Sequence, residues 1–177
     1  SHKISSDKIS TIGNGSSFLS KFYKYEKYEK YTFDKKKYFY IGYAGSLSNY
    51  EGLENFINCV KYCNNYGNKK LKFLIVGDGP NRLKLENLVI KLGLVNRFDF
   101  IGYVKNSMVK SLIENFDISV APLISSRNYE TGLSSIKIRD YCACKSAILT
   151  SHIHEHINFK KQNLLHTFHN DNAEQIA

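Results

Sequence analysis

The residues best placed to do chemistry lie between 125 and 141. The stretch reads Ser125-Ser126-Arg127-Asn128-Tyr129-Glu130-Thr131-Gly132-Leu133-Ser134-Ser135, and a helical pattern follows it. Gly132 and the two serines lead into a helix N-terminus, whose unpaired N–H groups and dipole favour a phosphate. Arg127 and Lys137 add positive charge. Asp140 stands one turn beyond Ile136, where a carboxylate can accept hydrogen bonds from ribose hydroxyls. Together these features predict a nucleoside diphosphate site. A second candidate is Gly45-Ser46-Leu47-Ser48-Asn49-Tyr50-Glu51-Gly52. Its leading glycine permits close backbone approach to a ligand, and its Ser and Asn side chains can donate to an anion.

Other sets argue for less. Gly77-Asp78-Gly79-Pro80 is a strand-to-helix turn, with Pro80 expected at the first helical position. It lacks the third glycine of the dinucleotide fingerprint, which disfavours a nicotinamide cofactor. In His152-Ile153-His154-Glu155-His156 strand alternation would put three imidazoles on one face. With no acidic set to complete a metal site, the run reads as a polar loop near a ligand cleft. The four cysteines, at 59, 63, 142 and 144, form no CxxC pair and read as small thiols in a reducing cytoplasm. No Ser-His-Asp or Cys-His catalytic arrangement stands out.

The elements that position these loops follow from hydrophobic pattern. Apolar runs at 38–45, 71–77, 98–102, 117–122, 146–151 and 163–168 read as strands. The run 71–77 is continuous, as for a strand buried on both faces of a parallel sheet. Helical periods occupy 51–66, 81–92, 107–115 and 135–144, and a further helix opens at 172. Alternation at this spacing predicts a doubly wound α/β fold, a Rossmann-like parallel sheet. Ligands in such folds bind beyond the carboxyl ends of the strands. The candidate loops are therefore 45–52, 77–81, 102–106, 122–135 and 151–160.

Composition bounds the class. The 177 residues are 42% hydrophobic and 23% charged, ordinary globular usage that excludes wholesale disorder. No apolar run is long enough to span a bilayer, and no signal-peptide pattern is visible. The net charge is +9, and residues 1–37 carry nine Lys against four acids. A basic surface favours anionic partners. Residues 1–37 read as a basic, Lys/Tyr-rich entry segment and connection, and 38–177 as the folded domain. Within 21–37 the interleaved Lys, Tyr and Glu fit either a charge-paired helix or a solvated surface loop. The start at Ser1-His2-Lys3, without Met, fits either a cloning scar or a cut inside a longer chain.

Taken in order, these motifs resemble the C-terminal domain of GT-B glycosyltransferases of the group 1, or family 4, type. KISTIGNGSSFLSKF (8–22) resembles the family's entry into this domain, and IGYAGSLSNYEGLENFINCV (41–60) its Gly-rich unit. LKFLIVGDGPNRLKLENLVIKLGLVNRFDFIGYV (71–104) is similar to the family's G-D-G-P to F-x-G-x-V run. RNYETGLSSIKIRDYCACKSAILTS (127–151) resembles an R-N-E-x-x-G-L-S-P-L-K-L-x-E-Y-L-A-C-G-K-P-V variant, and NLLHTFHNDNAEQIA (163–177) the closing unit.

The resemblance implies a two-domain retaining enzyme that moves a sugar from a nucleotide-sugar donor, UDP- or GDP-linked, to a glycan or lipid-linked acceptor. The expected setting is cell-envelope polysaccharide synthesis in the cytoplasm, with peripheral contact at the inner membrane face. It implies that Gly45 and Ser46 face the donor phosphates. Gly132, Leu133 and Ser134 would offer N–H groups to phosphate or hexose, Asp140 would hold the ribose, and the Gly102–Val104 turn would flank the base. Arg127, Glu130 and Lys137 complete the expected substrate-binding set, with no catalytic residue assigned. The family's chemistry needs no metal and no cofactor. The acceptor-binding N-terminal domain is expected outside these residues, which predicts no transfer by this chain alone.

Several positions depart from the family pattern. Ser46 and Glu51 stand near its phosphate-binding Arg and Lys, and Asp140 replaces Glu. Lys145 replaces Gly, Ala147 replaces Pro, and Glu130 and Asp140 are wider apart than the family's Glu pair. These departures keep a second expectation open, a degenerate non-catalytic domain that binds a nucleotide-sugar or a partner protein. A nucleotide-sugar epimerase would need catalytic carboxylates and histidine not found here. Nucleic-acid binding through 21–37 is disfavoured by the alternating Glu.

Overall fold

The computed structural model describes residues 14–63, 65, 67–124, 135–152 and 165–168. Among these, six parallel strands form one sheet: β1 (Tyr38–Ala44), β2 (Lys70–Val76), β3 (Phe98–Gly102), β4 (Ile118–Ala121), β5 (Ala147–Ser151) and β6 (His166–Phe168). Their order across the sheet is β3-β2-β1-β4-β5-β6. This is the doubly wound order, in which the chain reverses its direction of winding between β1 and β4. Four helices are described: α1 (Leu53–Cys59), α2 (Arg82–Lys91), α3 (Asn106–Ile113) and α4 (Ile136–Ala143).

The period-2 pattern of β2 builds both layers. Leu71, Phe73 and Ile75 meet Leu53, Phe56 and Ile57 of α1 and Leu85 and Val89 of α2 on one face. Leu74 and Val76 belong to the opposite core, with Leu112 and Ile113 of α3 and Ile138 and Tyr141 of α4. Phe73 lies 4.9 Å from Phe98 in a stacked arrangement and 5.7 Å from Phe56 edge-on. Alternation thus drives a strand that is hydrophobic on both sides, with no exposed face to spare.

Element bounds differ from the sequence expectation in two places. The helix expected over 51–66 is shorter: α1 stops at Cys59, and a 3₁₀ turn, Val60–Tyr62, replaces its continuation. Pro80 does not occupy the first helical position; it sits in the turn before Arg82, closed by Arg82 N–H donating to the Gly79 carbonyl at 3.1 Å. Of the two alternatives open for 21–37, the surface connection is the one observed, and the segment forms no helix. It straps across the molecule instead, with the Tyr28 N–H donating to Ser111 Oγ at 2.9 Å and the Glu26 N–H to the Ser107 carbonyl at 2.8 Å. Phe33 packs edge-on against Tyr40 at 4.8 Å. The helix expected from 172 and the histidine run beyond His152 lie outside the described residues.

The C-terminal end of α4 explains one departure in the sequence. Lys145 takes a φ of 56°, the left-handed region where glycine is usual. Its N–H donates to the Cys142 carbonyl at 3.0 Å, and Ser146 N–H to that of Tyr141 at 3.1 Å. The cap geometry is kept, with a side chain that tolerates it poorly.

Candidate functional site

A cavity of about 600 Å³ opens at the carboxyl ends of the strands, beside the β1/β4 crossover. Ligand pockets commonly enclose roughly 300–1,000 Å³. Its walls are largely apolar, from Phe18, Val76, Val104, Val109, Ile113 and Leu123. Polar groups gather on one side: the turn Gly45–Ser46 after β1, Asp78 after β2, and Ser135, Lys137 and Asp140 from the start of α4.

The turn after β1 is shaped by contact between backbones. Gly77 has a φ of 129°, and a Cβ there would fall 1.9 Å from the Gly45 carbonyl oxygen. A Cβ on Gly45 would in turn fall 2.8 Å from the Tyr43 hydroxyl and 2.9 Å from Lys137 Cε. Gly77 must be glycine for β1 and β2 to converge here, and a side chain at Gly45 would displace the ends of Tyr43 and Lys137. The Gly45 N–H donates to the Val76 carbonyl at 3.0 Å, which fixes the turn against the end of β2.

Lys137 enters the site from α4 and is nearly buried, its side chain 12% exposed. Its ammonium forms an ion pair with Glu51, whose side chain is 11% exposed, and donates to the Tyr43 hydroxyl at 3.0 Å. That hydroxyl donates onward to the Ser46 carbonyl at 2.6 Å. Burial pushes the Lys137 amine below its usual proton affinity, and the Glu51 carboxylate opposes the push. Tyr141 lies one turn further along α4 and is completely buried. It accepts from the Ala44 N–H at 3.0 Å and donates to the Val120 carbonyl at 3.2 Å, tying α4 to β1 and β4.

Asp140 also faces the cavity, where it accepts from Ser16 Oγ at 2.6 Å. Burial raises its carboxyl above the ordinary value, and the Ser16 hydrogen bond pulls the other way. Ser16 caps a 3₁₀ turn, Ser17–Leu19, that delivers Phe18 into the cavity wall. The entry segment therefore forms part of the site.

Of the residues singled out in the sequence, Gly45, Ser46, Val104, Lys137 and Asp140 line this one cavity. Gly102 stands just behind it, its carbonyl accepting from the Gly77 N–H at 2.8 Å. Arg127, Glu130, Gly132, Leu133 and Ser134 lie outside the described residues. Sequence reasoning read Glu51 as a lost cation and missed its pairing with Lys137, which is 86 positions away. It also singled out neither Tyr43 nor Phe18 as site residues, although both lie within the motif segments 41–60 and 8–22. Among the described residues, no cluster of His, Cys, Asp and Glu is arranged to hold a metal ion. No helix among them is long and apolar enough to cross a membrane.

Known proteins share this architecture. The protein of Anabaena called Alr3699/HepE, solved in complex with UDP, superposes with a TM-score of 0.65 at 14% identity, over 79% of this chain and 37% of that one. The C-terminal domain of a glycosyl transferase group 1 family protein, LpcC from Francisella tularensis, gives 0.59 at 20% identity, over 81% and 75% of the two chains. At these identities the likeness establishes the fold. In sequence, the 2-deoxystreptamine glucosyltransferase of Streptomyces kanamyceticus is 30% identical over 84 residues, 48% of this chain. The match spans about a fifth of that relative's length, 21%. The family model described as "Glycosyl transferases group 1" matches residues 38–177, from the first residue of β1 onward. The parallel sheet, the cavity at its crossover and this match agree, and the chain belongs to the group 1 glycosyltransferases.

Proposed function

We propose that residues 38–177 are the donor-binding domain of a retaining glycosyltransferase, with 1–37 as its entry and connection. The domain takes a UDP- or GDP-linked sugar, a hexosyl donor, into the 600 Å³ cavity. The observation that carries the reading is the Lys137 ammonium, fixed beside the Gly45–Ser46 turn at the start of α4. A buried cation and a helix N-terminus are what a diphosphate leaving group needs, and they act without a metal ion. The apolar wall near Val104 suits the flat face of a base, and Asp140 suits ribose hydroxyls. Arg127, Glu130, Gly132, Leu133 and Ser134 supply the remaining contacts in this reading. Alr3699/HepE in complex with UDP and the glucosyltransferase relative support a nucleotide-sugar donor.

The acceptor, a glycan or a lipid-linked sugar of cell-envelope polysaccharide synthesis, binds a separate N-terminal domain. The whole enzyme works in the cytoplasm, at the inner membrane face where the basic front segment meets acidic lipid. The 177-residue chain alone therefore binds donor without transferring sugar.

A second reading is favoured by charge. Among the described residues lining the cavity, three carboxylates (Glu51, Asp78 and Asp140) face one ammonium that Glu51 already neutralises. A degenerate domain that binds a nucleotide-sugar or a partner without catalysis would tolerate that balance. Thermal-shift titration of the chain separates a cavity that takes a nucleotide from a domain that serves only a partner. A ligand at 100 times its Kd stabilises by about 2.7 kcal/mol, a clear rise in Tm. The expected outcome is such a rise with UDP or GDP, reduced in Lys137→Ala and in Arg127→Ala. No rise with either nucleotide, or a rise unchanged in both variants, overturns the donor reading.

A further inference from the structure

We propose that Glu51 is a positioning residue of this site: together with Tyr43 it holds the Lys137 ammonium in one place on the cavity wall, ready for the diphosphate of a donor. The inference rests on the donor reading of the cavity and adds a role that no motif assigns.

The geometry is specific. Glu51 closes a 3₁₀ turn, Asn49–Glu51, through its N–H to the Ser48 carbonyl at 3.1 Å. The next residue, Gly52, has a φ of 69° and sends the chain into α1, leaving the Glu51 side chain directed at α4. The Lys137 ammonium sits 4.5 Å from the centre of the Tyr43 ring and donates to the hydroxyl of that ring. Of its three protons, one serves Glu51 and one Tyr43. The third has no protein partner among the described residues. Lys side chains are flexible and lose their charge readily when buried. Here the Glu51 carboxylate and the Tyr43 hydroxyl fix the stem and the head at once. Because Tyr43 also donates to the Ser46 carbonyl at 2.6 Å, the ammonium and the phosphate-facing turn are held in one frame.

Among the described residues, the charged and titratable groups around Lys137 are few. Glu51 and Tyr50 come from the turn after β1, Tyr43 from β1, Asp78 from the turn after β2, and Asp140 and Tyr141 from α4 itself. Among the described residues, only Glu51 is bonded to the ammonium as an anion. Burial drives Lys137 toward the neutral amine, and Glu51 opposes it. With Glu51→Gln the opposition goes and the burial stays.

Calorimetric titration with UDP at pH 7.5 and 8.5 tests this, because the diphosphate keeps its charge and the uracil its N3 proton across that range. Wild type should change affinity less than about threefold, whereas Glu51→Gln should lose up to about tenfold, the factor set by one pH unit in proton affinity. Adding Lys137→Arg to Glu51→Gln should flatten the profile, since a guanidinium stays charged. Glu51→Asp, which keeps the carboxylate, should fall between. Competitive acetylation of Lys137, read by mass spectrometry without any ligand, should show its half-reaction pH falling in Glu51→Gln. Unchanged or tighter UDP binding by Glu51→Gln at both pH values, or an unchanged labelling profile, overturns the proposal. If wild type fails to bind UDP while labelling still shifts, the donor reading fails and the hold of Glu51 on Lys137 stands.

Discussion

The floor under β2 and the wall beside Lys137 are both buried, by opposite means. Under β2, Phe73 stacks on Phe98 and meets Phe56 within a cluster of apolar side chains, the charge beside it being the Arg97 guanidinium 5.5 Å above its ring. Beside Lys137, two opposite charges and a tyrosine hydroxyl are taken out of water together. The floor gains from area removed from solvent, whichever apolar side chains supply it. The wall must recover a desolvation cost through good geometry, and often does no better than break even. Strength in the first region is therefore spread over many residues. In the second, each member depends on the others.

Cutting one residue from each region sharpens the contrast. Phe73→Ala should cost about 3–5 kcal/mol, as deletion of a buried aromatic ring does. Urea unfolding monitored by circular dichroism would measure it, and no single neighbouring substitution should restore the loss. Lys137→Met strands the Glu51 carboxylate. Removing one partner of a buried pair costs roughly 3–5 kcal/mol, and about a tenth of each side chain remains exposed here, so about 2–3 is expected. Adding Glu51→Leu should recover most of that, because an apolar pair of similar volume is close to neutral. A double variant no more stable than Lys137→Met would show that the wall behaves like the floor.

That contrast also explains what the sequence revealed. The run Leu71-Lys72-Phe73-Leu74-Ile75-Val76 announces a buried strand because burial there needs only hydrophobicity at a short repeat. All six strands and the four described helices were legible in that way, whereas the strand order that sets the crossover beside the cavity was not. Gly45, Lys137 and Asp140 were legible as site residues because loop position and chemical type singled them out. The partnership of Lys137 with Glu51 was not. It joins residues 86 apart, and no periodicity links a turn after β1 to a helix before β5. Glu51 looked like a substitution that removed a cation, when the geometry makes it the partner of another. Ser16 was hidden for the same reason, since its bond to Asp140 spans 124 positions. The early end of α1 was missed because a 3₁₀ turn keeps nearly the same apolar spacing for one more turn.

Asp140 offers the smallest stability effect and the clearest sign. Its carboxyl is raised above the usual 3.8 by burial, against the pull of Ser16. A carboxyl with raised affinity holds its proton more tightly in the folded state than in the unfolded chain. Between 3.8 and its raised value the native state binds more protons, so stability falls as pH rises through that window and stays lower above it. Asp140→Asn removes the ionisation and keeps an oxygen to accept from Ser16. It should therefore match wild type below the window and be slightly more stable at pH 7, by less than about 1 kcal/mol. UDP binding should move the other way, weakening roughly tenfold if a charged acceptor to the ribose is lost. Paired urea unfolding at pH 3.5 and pH 7, with a UDP titration at pH 7, would read both. A variant less stable at neutral pH, or one that binds UDP undiminished, would place Asp140 with the β2 floor as a structural residue. The opposed signs would place it with Lys137, as a charge kept in the cavity at a cost to the fold.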